Sequence, residues 1–116
     1  MTKQLRVYFV DILEAVEEIE EFTRSLTFDE FTKNKMAIRA VTMDFAIMGE
    51  ATKNIPLETK RMYSQIPWKQ MAAIRDKIIH GYAYIKLGVL WDAVSLDLPV
   101  LKPLIKELLE SDFKEE

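Results

Sequence analysis

His80 is the only histidine of this 116-residue chain, and Arg75 precedes it by five residues in the segment MAAIRDKIIHGY, residues 71–82. An imidazole titrates near neutrality, so it can give or take a proton during a reaction. A guanidinium stays charged and presents a planar fork that fits phosphate oxygens. Together the two groups suit acid–base chemistry at an anionic ester. Asp76 lies four residues before His80. That spacing puts both on one helix face, where a carboxylate can orient the imidazole in one tautomer. Tyr82 follows two residues later, either as a half-buried aromatic with a hydrogen-bonded hydroxyl or as a functional group.

The rest of the composition narrows the chemistry. No cysteine is present, which removes disulfides, thiolate–zinc sites and thiol nucleophiles. With one histidine and no paired carboxylates beside it, no metal site and no cofactor are expected. Net charge is −3, an overall balance that does not favour nucleic acid. The distribution says more. Residues 53–86 carry seven basic groups (Lys53, Lys60, Arg61, Lys69, Arg75, Lys77, Lys86) against two acidic ones (Glu58, Asp76). This basic block contains His80, and a local positive surface can attract phosphate on an acidic protein.

These residues must be positioned by helices. The hydrophobic fraction is 49% with only three glycines and four prolines, which predicts one all-α domain over residues 1–116. Leu5, Tyr8, Ile12, Ala15, Val16, Ile19 and Phe22 recur every three or four residues as the stripe of a long first helix. Thr27 and Glu30 read as a capping box opening a short second helix that ends near Asn34. A third helix is expected over residues 35–54, with Ala37, Ala40, Val41, Phe45, Met48 and Ala51 inward, stopped by Ile55-Pro56. Residues 57–65 predict a short irregular helix. Pro67 suits the first turn of a fourth main helix carrying Trp68, Met71, Ile74 and Ile78. Gly81 is expected to end it as a left-handed terminator. A last helical region covers about 87–110, which Pro99 and Pro103 should either kink or divide. Its inward residues are Trp91, Val94, Leu98, Leu101, Leu104, Ile105 and Leu108. The architecture expected is an up-and-down bundle of four main helices plus short ones. Acidic residues interrupt the apolar positions of the N-terminal stretch, so neither a signal peptide nor a membrane span is expected there, and a cytoplasmic setting fits.

Arg75, His80 and Tyr82 match R-x-x-x-x-H-x-Y, and the segment resembles the R-D-x-hydrophobic-hydrophobic-H-G-Y form of HepT-like proteins in the HEPN superfamily. Gly49-Glu50-Ala51 with Asn54-Ile55-Pro56 is similar to the family's G-E-A-x-x-x-I-P helix end. Val89-Leu90-Trp91-Asp92 and Asp97-Leu98-Pro99 resemble its V-W-D and D-L-P elements. The resemblance implies a HEPN-like helical bundle, a homodimer with the motif lining a cleft, and a metal-independent endoribonuclease toxin acting on RNA, with tRNA as the substrate class. It also implies a partner, an MntA-like nucleotidyltransferase antitoxin that adds AMP to the tyrosine matching Tyr82. Tyr84 is the neighbouring competitor for that modification. The alternative is a non-catalytic HEPN dimer that holds a nucleotidyltransferase or a nucleotide.

Metal-free RNA cleavage needs a base for the 2′-hydroxyl, a cation at the phosphoryl oxygens and an acid for the leaving 5′-oxygen. On an ideal helix, Arg75 and His80 point about 140° apart. They converge if the helix unwinds near Gly81, if Arg75 reaches around, or if two subunits supply them. A symmetric dimer would also provide the second imidazole that a base-plus-acid mechanism requires. Glu50 is either a carboxylate supporting the site or an ordinary helix-face charge.

Overall fold

The computed structural model describes residues 3–81 and 85–111, and every regular element among them is helical. Helix α1 spans Lys3–Thr23, α2 Phe28–Lys33, α3 Lys35–Asn54, α4 Leu57–Met62, α5 Trp68–Gly81, α6 Leu87–Asp92 and α7 Leu98–Ser111. A π-helical stretch, Ala93–Asp97, joins α6 to α7 without a break. Helix α3 is central, packing on α1 at one side and α5 at the other, while α7 closes on α1. The all-α bundle expected from the sequence is what the chain forms.

Local chemistry accounts for the boundaries. The Thr27 hydroxyl accepts from the Glu30 amide at 3.2 Å, and the Glu30 carboxylate accepts from the Thr27 amide at 2.9 Å, closing the capping box. The Asn34 side chain caps α3 by accepting from the Ala37 amide. The core is chiefly apolar: Phe9, Ile12, Val16, Ile19, Phe31, Val41, Leu90 and Ile105 are fully buried, with Thr52 and Asp44 among the few buried polar residues.

Two expectations need correcting. Phe22, assigned to the inward stripe of α1, is exposed at 39%, while Phe9 takes a central core position. Gly81 ends α5 in space, yet no described glycine has a positive φ, so the helix does not stop by a left-handed residue there. The region after residue 87 is not divided at Pro99 or Pro103. The chain widens by one π-helical stretch, in which the Leu98 amide donates to the Ala93 carbonyl five residues back. A proline cannot donate to the carbonyl four residues earlier and its ring crowds that carbonyl. The wider turn lies just before Pro99 and relieves both demands. Its trace in the buried stripe is a step of five, from Ala93 to Leu98, among steps of three and four.

Asp44 is a buried acid in α3, 3% exposed, hydrogen-bonded to Glu18 of α1. Burial first, and then the bond to Glu18 and its charge, push its carboxyl up to about 7. The unfolded chain ionises Asp44 near the ordinary value while the folded chain keeps it protonated. Stability from this group is therefore full below about pH 4 and falls as pH rises toward about 7. Asp44→Asn is expected to flatten that slope and to stabilise the protein at pH 8. The gain should be about 1–2 kcal/mol, reduced from the full linkage value because Glu18 is exposed to solvent. Thermal melts of both proteins at pH 4 and pH 8 check this; equal shifts at the two values would contradict it.

Candidate active site on helix α5

Helices α3 and α5 cross at Gly49. A Cβ at this position would lie 2.7 Å from Arg75 Cγ, closer than carbon side chains approach, and 3.0 Å from the Met71 carbonyl oxygen, a tight contact. The two helices come this close only because residue 49 has no side chain, and the stem of Arg75 lies across the gap. Arg75 is thereby steered to the α3 side of α5. Its Nη2 donates to Glu50 Oε2 at 2.8 Å and its Nη1 makes a long contact of 3.4 Å with Asp76 Oδ1. Its Nε is buried with no hydrogen-bond partner.

Asp76 is shared. The Lys53 ammonium of α3 also bonds to Oδ1, so a single carboxylate oxygen takes both cations. Lys53 first, and Arg75 with it, holds the Asp76 carboxyl below the usual carboxylate range against a smaller opposing effect of burial. Asp76 is thus anionic at neutral pH. Its expected partner, His80, lies one turn further on, exposed on the last turn of α5, and no side-chain hydrogen bond joins the two among the described residues. Arg75, Asp76, Glu50 and Lys53 are brought together; His80 stands apart from them on the same helix. Tyr82 and Tyr84 lie outside the described residues.

Sequence reasoning left Glu50 between two readings; the structure pairs it with Arg75 while leaving its side chain 58% exposed. Lys53 was missed. It lies 23 residues from Asp76, and only the α3–α5 packing brings them together. A groove of about 390 Å³ opens beside Arg75, with walls from Ala46, Ile47, Ala51 and Ile79 and polar groups from Tyr8, Asp11, Glu50 and Asn54. Among the described residues no group of three or more His, Asp or Glu side chains is placed to hold a metal ion, and no helix is long and apolar enough to cross a membrane.

Gly49→Ala is expected to force α3 and α5 apart or to displace the Arg75 stem. Overpacking of this kind costs about 1–3 kcal/mol, offset in part by the better helix propensity of alanine. A displacement of about 1 Å at a reacting group can cost about 10²-fold in rate. Melting temperature and activity should both fall, and a variant unchanged in both would contradict the close approach.

Comparison with known proteins places this geometry in context. A family model described as Ribonuclease HepT-like matches residues 12–108. The "Probable ribonuclease HepT" of Thermococcus cleftensis is 44% identical over 108 residues, covering 93% of this chain and 98% of its own. A protein of Methanocaldococcus jannaschii named as a candidate RNase is 40% identical, covering 95% and 94%. A similarly named protein of Caldanaerobacter subterraneus is 34% identical, covering 95% and 98%. No solved structure matches the chain.

Proposed function

We propose that this chain, which belongs to the HepT-like ribonuclease family, is a metal-independent endoribonuclease toxin whose reacting groups are Arg75 and His80. The observation that carries the reading is the support built around Arg75. Two carboxylates, Glu50 and Asp76, and a glycine at the helix crossing hold one guanidinium at a groove, with an exposed imidazole at the end of the same helix. A structural ion pair alone would not require that close approach.

The steps follow from the groups. One imidazole takes the proton of the ribose 2′-hydroxyl, whose oxygen attacks the adjacent phosphorus. Arg75 stabilises the charge on the phosphoryl oxygens. A second imidazole protonates the departing 5′-oxygen. Each chain has one histidine, so the second comes from a second copy. Exposed apolar side chains support such a homodimer. Met36, Met43 and Ile47 lie within about 40° of one line on α3, and Ile47 and Ile79 border the Arg75 groove. Apolar residues left in water along one face mark a contact surface. Two subunits also resolve the angular separation of Arg75 and His80 on α5, since each can meet the other's counterpart.

Asp76 is proposed to orient His80 through Oδ2, the oxygen that takes neither Lys53 nor Arg75. Asp76→Asn should keep the fold and lower cleavage about tenfold or more; an unchanged rate would remove Asp76 from the mechanism. The substrate class is tRNA, and silencing is by AMP added to Tyr82 by an MntA-like nucleotidyltransferase. Negative charge two residues from His80 would repel RNA phosphates. Tyr82→Phe should stay active and escape that modification, whereas AMP found on this variant at the normal level would shift the assignment to Tyr84. The overall test is incubation of the pure protein with total tRNA in EDTA. Cleavage is expected to persist; cleavage that appears only when a divalent metal is restored would overturn the reading.

A further inference from the structure

On the reading of the chain as a ribonuclease, we infer that Lys60, Arg61 and Lys69 form a second, non-catalytic contact site for the phosphate backbone of the RNA substrate. These three cations line one cleft of about 370 Å³ between α4 and the start of α5, together with Leu57, Ser64 and Gln70. No acidic side chain lines it. None of the three cations makes an ion pair among the described residues, whereas Lys53, Arg75 and Lys102 all do. Arg61 and Lys69 are exposed and Lys60 is half-buried.

The cleft has a fixed shape. Trp68, at the head of α5, donates its indole hydrogen to the carbonyls of Lys60 and Tyr63 at 3.2 and 3.1 Å. The C-terminal turn of α4 is thereby fastened to α5, and the cations of the two helices are held in one arrangement. Unpaired cations clustered in this way cost free energy by mutual repulsion and are relieved by a polyanion. The amides of the first α5 turn add to the same field and would bind nothing alone.

The placement relative to the reacting groups fits a strand of RNA. Lys69, Asp76 and His80 lie at steps of seven and four along α5. On an ideal helix this puts Lys69 and His80 within about 20° of one face and about 16 Å apart along the axis. At roughly 3.4 Å per stacked nucleotide this spans about five nucleotides. A strand engaged at His80 therefore reaches the α4–α5 cleft along one side of α5. The site adds affinity that is the same before and during the reaction, so it should set KM and leave kcat alone.

The test replaces all three residues, K60Q/R61Q/K69Q, and compares them with K33Q/K35Q/K106Q, three exposed lysines elsewhere that change net charge equally. Cleavage of total tRNA is measured, and binding of the same tRNA is measured in a His80→Ala background across a salt series. The cleft variant should raise KM about tenfold with kcat within about twofold, and the slope of log affinity against log salt should become shallower by about 2–3. The control variant should leave both nearly unchanged. An unchanged KM and slope in the cleft variant, an equal effect in the control, or a loss confined to kcat would each overturn the inference. Should the wild-type protein bind tRNA without cutting it, the ribonuclease reading falls, and the binding series alone still decides the cleft.

Discussion

His80→Ala is expected to lower tRNA cleavage by about 10²–10⁴-fold, the usual worth of a positioned acid–base group. The fold should be indifferent to the change. His80 is exposed on the last turn of α5 and its side chain makes no hydrogen bond or ion pair with a described residue. Removing such a side chain leaves no cavity and no orphaned partner, so stability should stay within about 0.5 kcal/mol. Cleavage assays alongside thermal melts separate the two effects. In cells, induced wild-type protein should arrest growth and the variant should not. A variant that cleaves at the wild-type rate would leave His80 as a helix-end residue favoured by the dipole.

Arg75→Ala should cost about 10²–10³-fold in cleavage, as loss of an electrostatic stabiliser does. The ion-pair part of its structural cost should be small, and the packing of the stem against Gly49 is lost besides. Glu50 is 58% exposed and can be hydrated once its partner is gone, so the pair is worth about 1 kcal/mol or less. Arg75→Lys is the sharper variant. It keeps the charge and loses the fork that reaches Glu50 and Asp76 at once, so it should recover only a minor part of the rate. Full activity in Arg75→Lys would mean that the site needs only a point charge near the phosphate.

Much of this molecule was legible in order of locality. The capping box at Thr27 and Glu30 and the end of α3 before Pro56 depend on neighbours within four residues, and both form as read. The behaviour of Pro99 depends on how the chain accommodates a missing donor, which the pattern of apolar residues does not dictate. The step of five from Ala93 to Leu98 shows only among the buried residues, since in the sequence Val94 stands four before Leu98 and keeps the stripe regular. Phe22 was misassigned because the buried face of α1 passes through its polar neighbour Thr23, which a stripe traced on apolar residues alone does not show. In the site, Arg75 and Asp76 were visible as residue types at a spacing and Glu50 as one of two readings, while Lys53, the α3 partner of Asp76, was not. Lys53 looks like one lysine among many until α3 and α5 are packed together. Gly49 carried a signal that was available: a glycine in a helix interior costs about 1 kcal/mol relative to alanine and so calls for a packing reason. The reason is the stem of Arg75.

A double-mutant comparison under single-turnover conditions, with tRNA and excess EDTA, tests most directly whether the guanidinium and the imidazole serve one event. The rate constants of Arg75→Ala, His80→Ala and the combined variant are measured against wild type. Groups acting on the same transition state fail together, so the combined variant should be little slower than the worse of the two single ones. Losses that multiply in full, or a single variant that cuts as fast as wild type, would show that the two residues do not act as one site.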